Sequence, residues 1–279
     1  MDKIFIRVWI LFITFLCLIA ITAIWVTTPK NEEEGEVIAQ KVKTSGTPKE
    51  NPMVLIPAGE FIMGSEEGGF DEKPPHRVYI DAFEINQFEV TQFYYAEFVR
   101  ATKHRSPFSR YLKNIELFND QNQPVIYVTW EDADAYCRWR GERIPTEAEW
   151  EKAAKGVNAI AWPWGNESKP IFANFLGTED QVHYTSIVGS FEHDKSAYGI
   201  YDMAGNVREW VQDWYEEQYY KHAPSRNPKG PEQGEMKTLR GGSWNDSALS
   251  GRTSARLKMF PDYRDTTVGF RCARSVGGK

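Results

Sequence analysis

The second half of this chain most narrows what it can fold into. Residues 157–279 carry no apolar run at helical spacing; they are loops rich in Gly, Asn, Asp and Trp, broken by short strand-like runs. On the order of 100 residues of loop in one domain need something besides helices and sheets to hold them. The first half is more regular. MVLIPAGEFIMGS, from Met53, reads as two short strands around a Pro-Ala-Gly turn, and HRVYIDAFEINQFEV alternates apolar and polar residues as half-buried strands do. Three helices are then expected. Thr91 opens TQFYYAEFVRAT as an N-cap hydroxyl. Thr129, with Asp132 at the third helical position, opens EDADAYCRWR, which stops at Gly141. Thr146 and Glu149 make a capping box before WEKAAK and Gly156. The expected class is α+β.

The N-terminus sets a second constraint. From Val8 to Thr28 no residue is charged, a length matching the roughly 20 residues an α-helix needs to cross a bilayer. Trp9 and Trp25 lie near its ends, where indoles favour the interface. Lys3 and Arg7 precede it and Glu32, Glu33, Glu34 and Glu36 follow, which puts the N-terminus in the cytoplasm and the rest outside. A cleaved signal peptide is the rival reading, but such apolar cores run only about 7–15 residues before a small-residue cleavage site, and no A-x-A triplet follows. Leu16 before Cys17 argues against a lipoprotein. Residues 29–52 are charged, punctuated by Pro, Gly and Ser, and without aromatics, the composition of a flexible tether. The expected organisation is an anchor over 1–28, a linker over 29–52 and one domain over 53–279.

A net charge of -6 argues against a nucleic-acid partner. The five histidines show no metal-ligand spacing. Cys17 lies in the expected anchor, leaving Cys137 and Cys272 either disulfide-bonded, the default in an oxidising compartment, or as buried thiols.

The runs PAGEFIMGS, PPHRVYIDAFEINQFEVTQFYYAEFV, PVIYVTWEDADAYCRWRGERIPTEAEWEKAAKG, WPWGN, YGIYDMAGNVREWVQDWY, LRGGSWND and VGFRCAR, in that order, resemble the formylglycine-generating enzyme (sulfatase-modifying factor) family over about residues 53–274. The resemblance implies a compact, loop-rich fold related to C-type lectins. Active members oxidise a sulfatase cysteine to formylglycine with molecular oxygen. They use two cysteines just after the GGS motif whose thiolates hold Cu(I), a soft ion that prefers sulfur. In GGSWNDSALSGRTSAR those positions fall on Asp246 and Gly251, so copper and formylglycine formation are not expected.

The resemblance also implies a Cys137–Cys272 disulfide and two structural calcium sites. One would use Asp202, the carbonyls of Gly205 and Val207, and Glu209; its rival is a Gly-Asn turn with Glu209 paired to an arginine. The other would use Asn174, the Phe175 carbonyl, Asp180 and the Val182 carbonyl. A partner groove would involve Ser243, Trp244, Asn245, Arg252 and Arg256, unless the arginines, with Arg240 and Arg271, make internal ion pairs. Most tryptophans, Trp139, Trp150 and Trp210 among them, are expected in the core. The leading expectation is a membrane-tethered, periplasmic or extracytoplasmic binding or accessory subunit with a protein partner. The alternative is an oxygen- or metal-dependent oxidoreductase or maturation enzyme of different chemistry on the same fold.

Overall fold

The computed structural model describes residues 47–107, 117–118, 120–177 and 182–277. The expected anchor and most of the linker lie outside them. Among the described residues no helix is long and apolar enough to cross a membrane.

Three small sheets frame the domain. β1 (Met53–Ile56) pairs antiparallel with β4 (Phe83–Asn86), and β4 takes β9 (Ala273–Ser275) on its other edge, so the last of the described strands closes the sheet that the first opens. β2 (Gly59–Met63) and β3 (His76–Ile80) form an antiparallel pair in the register Gly59 to Ile80. The two strands expected around Pro-Ala-Gly both form, but they join different sheets. The third sheet has the order β7 (Arg256–Met259), β6 (Lys237–Arg240), β5 (Arg208–Trp214) and β8 (Val268–Gly269), the last pair parallel.

The helices are α1 (Gln92–Thr102), α2 (Trp130–Trp139) and α3 (Glu147–Lys155). Both expected capping boxes form: Thr129 and Thr146 each accept from the backbone of the third helical residue, whose carboxylate reaches back. Thr91 departs from expectation, because its hydroxyl is buried and makes no cap bond. Past residue 157 the described residues hold only 3-10 turns and short strands.

α3 is buried along its whole length although five of its nine residues are charged. Its charges survive burial because each is paired or hydrogen-bonded. Arg240 and Arg256 bond Glu147. Arg240, Lys155 and the Gly64 amide bond Glu151. The Lys152 ammonium donates to the carbonyls of Pro57 and Gly59 at 2.7 and 3.0 Å. The helix thus ties β2, β6 and β7 to one centre.

Apolar packing divides around that centre. Ile56, Phe61, Val78, Phe83, Trp150 and Val211 belong to one large cluster; Tyr95, Phe98, Tyr136, Trp210 and Phe270 belong to a second, and two smaller ones form around Trp162 and Phe118. The expected disulfide is present in the second: Cys137 of α2 bonds Cys272, with both residues fully buried. Trp150 and Trp210 are core as expected, whereas Trp139 is exposed on the outer face of α2.

Side-chain bonds to backbone supply what the loop half lacks in regular structure. Asn206 Oδ1 accepts from the Ser186 amide and from Asn174 Nδ2. Asp194 accepts from the amides of Ala204 and Gly205, and Arg271 donates to the carbonyls of Asn86, Gln87 and Tyr201. Thr47–Pro52, the end of the expected linker, also packs on the domain. The Lys49 amide donates to Asn122 Oδ1 at 2.6 Å, Asn122 Nδ2 donates to the Thr47 carbonyl, and Asn51 bonds both the amide and the carbonyl of Phe88.

Candidate functional site

Strand β6 runs into Gly241-Gly242-Ser243, and the chain turns back toward β5. Gly241 takes a left-handed φ of 73°, which glycine adopts without strain. The turn is fixed by amide bonds from Gly242 to the Ala204 carbonyl and from Trp244 to the Asn206 carbonyl. Asp246 closes it: its amide donates to the Ser243 carbonyl, and Ser243 Oγ donates to Asp246 Oδ2 at 2.6 Å. Oδ1 pairs with Arg208 Nη2, and Arg208 Nη1 donates to Thr267 Oγ1. The Asp246 carboxylate is therefore a satisfied structural anion. At Gly251 there is no room for a side chain, since a Cβ would lie 2.4 Å from the Ala204 carbonyl oxygen and 2.5 Å from Phe175 Cζ. The only cysteines among the described residues are joined in the buried disulfide.

The groove residues are mostly committed elsewhere. Ser243 is buried. Trp244 donates to the Thr266 carbonyl and packs against Phe118 and Tyr184. Arg252 grips Glu72 through two bonds of 2.7 and 2.6 Å, and Arg256 holds Glu147 through two more. Both arginines take the internal-pair reading rather than the partner-groove one. Asn245 alone of the five is exposed. It is flanked by two exposed leucines: Leu176, whose amide donates to the Asp246 carbonyl, and Leu249 on the 3-10 turn Ala248–Gly251.

The proposed calcium ligands part company. Asn174 Oδ1 is buried and has no hydrogen-bond partner, as a side-chain oxygen meant for a cation would be. Of the other three residues in that set, Asp180 lies outside the described residues. The Asn174 oxygen fits calcium. The Asp202 set does not. Glu209 accepts from Arg271 Nη2 at 2.6 Å and Nε at 2.7 Å, and from Trp150 Nε1 at 2.9 Å. Asp202 Oδ2 accepts from the Gly189 amide at 2.6 Å. Its backbone stands at a left-handed φ of 59°.

Two carboxyl groups that the sequence did not single out complete this buried cluster. Burial, then the charges of Asp202 and Glu209, push Glu89 well above the usual carboxylate range, which favours its protonated form. Burial and Asp202 push Asp194 up to about 8. Burial raises Asp202 itself to about 6. Nothing in the local sequence around Glu89 or Asp194 marks them, because the groups they meet come from distant segments.

Residues 39–276 match the model of the sulfatase-modifying factor enzyme 1-like domain. Among known proteins, the chain is 38% identical to a Chlamydia pneumoniae protein named serine/threonine-protein kinase pkn1, over 86% of this chain but only 40% of that protein's length. It is 32% identical to the formylglycine-generating enzyme of Streptomyces coelicolor, over 80% of this chain and 89% of the relative. It is 31% identical to the mouse inactive C-alpha-formylglycine-generating enzyme 2, over 83% and 88%. The structure of PvdO from Pseudomonas aeruginosa superposes with a TM-score of 0.70 at 29% identity, covering 82% of this chain and 99% of that one. With the matching model spanning nearly all of the described domain, the chain belongs to the sulfatase-modifying factor family, whose members include formylglycine-generating enzyme and its inactive paralogue.

Proposed function

We propose that this chain is a non-catalytic family member, held on the outer side of a membrane by the apolar segment 8–28 and acting as a binding or accessory subunit for a protein partner. One observation carries the reading. The turn that must present two thiolates to Cu(I) instead carries Asp246, already paired with Arg208 and Ser243, and Gly251, where a side chain has no space. Hard carboxylate oxygen is a poor ligand for Cu(I), and glycine offers no side-chain ligand. The family contains a protein named as inactive, so loss of the chemistry with retention of the fold has a precedent. The kinase name of the Chlamydia relatives is not carried over, because this chain spans 40% of their length.

The disulfide suits an oxidising, extracytoplasmic setting. A structural calcium at Asn174 would stiffen the loop half next to the Asp246 turn. Asn245, Leu176 and Leu249 are exposed beside the Asp246 turn, and they are the surface offered here to a partner. The net charge of -6 speaks against nucleic acid as that partner.

The test has two arms. Full-length protein loaded with Cu(I) and given a sulfatase peptide and oxygen should leave the peptide cysteine unchanged by mass spectrometry. Affinity capture of the detergent-solubilised chain should recover one membrane or extracytoplasmic protein at stoichiometry, and a Leu176→Asp, Leu249→Asp variant should lose it. Aldehyde on the peptide would overturn the proposal. So would stoichiometric copper or iron with oxygen uptake, which would favour the oxidoreductase reading.

A further inference from the structure

Two positive side chains already stand at the loop where the family resemblance places Asp202 and Glu209 around calcium. Arg271 holds Glu209 by two bonds. The second is Lys49, from the segment leading into the domain. Its ammonium donates to the Val188 carbonyl at 2.7 Å and lies 4.2 Å from the centre of the Phe88 ring. It comes so close to Gly189 that a Cβ there would lie 2.7 Å from Nζ. The amide of that same Gly189 donates to Asp202 Oδ2 at 2.6 Å. Ammonium and carboxylate thus lie on either side of a single glycine, not in direct contact, and each attracts the other. The position of Lys49 is not a chance of a long side chain, because its amide is fixed on Asn122 Oδ1 and the neighbouring Asn51 is bonded to Phe88.

Calcium would have to approach these carboxylate oxygens to about 2.3–2.6 Å. It would then face the buried Arg271 guanidinium bonded to Glu209 and, beyond Gly189, the half-buried Lys49 ammonium, and like charges repel. Glu209 is ion-paired with Arg271, and Asp202 feels the charge of Lys49 across Gly189 without a direct ion pair. We infer that Lys49 takes the cation position of the Asp202 loop, so that this loop binds no calcium and is instead joined by charge to the segment entering the domain. The inference does not depend on the non-catalytic reading, since it concerns calcium at Asp202 and Glu209 and not thiolates at positions 246 and 251.

Calcium counting on the full-length, detergent-solubilised protein decides it. Each variant is stripped with chelator, equilibrated with calcium chloride, desalted and measured by elemental analysis per chain. Lys49→Met, which keeps the apolar stem and removes the charge, should bind one more calcium than the parent, and Asp202→Ala added to it should abolish the gain. Equal counts for Lys49→Met and the parent would overturn the inference. The parent sequence gives an independent check. Asn174→Ala removes the other candidate site, so a chain with that change and an intact Lys49 should hold no calcium. One calcium retained in Asn174→Ala, and lost when Asp202→Ala is added, would also overturn it.

Discussion

Arg240 donates through Nη2 to Glu151 Oε2 at 2.6 Å, and neither side chain has any exposed surface. The same guanidinium reaches Glu147 Oε1 at 3.1 Å and the carbonyls of Thr253 and Ser254, so it satisfies helix α3 and the loop before β7 together. Removing one partner of a buried pair leaves the other charge without compensation, at a cost of about 3–5 kcal/mol. Arg240→Met should therefore lower unfolding stability by about that amount in chemical denaturation. A loss under ~1 kcal/mol would mean that Lys155 and Arg256 suffice for both glutamates.

The Cys137–Cys272 bond closes a sequence separation of 135 residues. A cross-link of that span restricts the unfolded chain, and removing a native disulfide costs about 2–5 kcal/mol. Cys137→Ala with Cys272→Ala should show a loss in that range and a lower melting midpoint, while the parent should melt at its own midpoint until a reductant reaches the buried sulfurs. An unchanged midpoint in the double variant would show that the cluster around Tyr136 and Phe270 holds this corner unaided.

Asp213 gives a pH dependence with a definite sign. Its Oδ2 accepts from the Glu147 amide at 2.8 Å, and burial, then the charge of Glu147, push its carboxyl from 3.8 up to about 8. A folded-state value above the unfolded one means that folding favours the protonated acid. Its stabilisation is fully present below pH 3.8 and is lost as pH rises through about 8. Asp213→Asn keeps an acceptor for the Glu147 amide and cannot ionise. It should flatten the fall in stability between those values, as read from melting midpoints across a pH series. A slope equal to the parent's would assign the loss to other groups.

What could be read from the sequence follows from the range of the interactions. Thr129 with Asp132, and Thr146 with Glu149, are partners three residues apart, so both helix starts are visible in the chain. Thr91 has Tyr94 in place of a carboxylate three residues on, and its hydroxyl is buried without making a cap bond. EAEWEKAAK shows a capped helix with five charges; its full burial depends on Arg240 and Arg256, which lie 93 and 109 residues from Glu147. No local window contains those partners. The same limit applies at the site. The resemblance puts Asp246 and Gly251 where the family's active members carry thiolates, which the sequence alone can say, but the pairing of Asp246 with Arg208 and the arrival of Lys49 near Asp202 need the fold.

Gly251 tests whether the turn has room for a cysteine at this position. A Cβ at this position would sit 2.4 Å from the Ala204 carbonyl oxygen and 2.5 Å from Phe175 Cζ, distances that no bonded rotamer can relieve. The carbonyl is itself held by the Gly242 amide at 2.8 Å, so it cannot retreat without breaking the bond that shapes the GGS turn. Overpacking of a buried site costs about 1–3 kcal/mol. Gly251→Ala should lose about that much stability, and Gly251→Cys at least as much, because its sulfur must also be placed against Phe175. Asp246→Cys together with Gly251→Cys should then give a destabilised protein that still leaves a sulfatase peptide unoxidised in the presence of Cu(I). Phe175→Ala is the informative addition, since it removes the ring but not the carbonyl. If Gly251→Ala alone proves as stable as the parent, the turn relaxes more easily than its packing implies, and the two positions are open to thiolates after all.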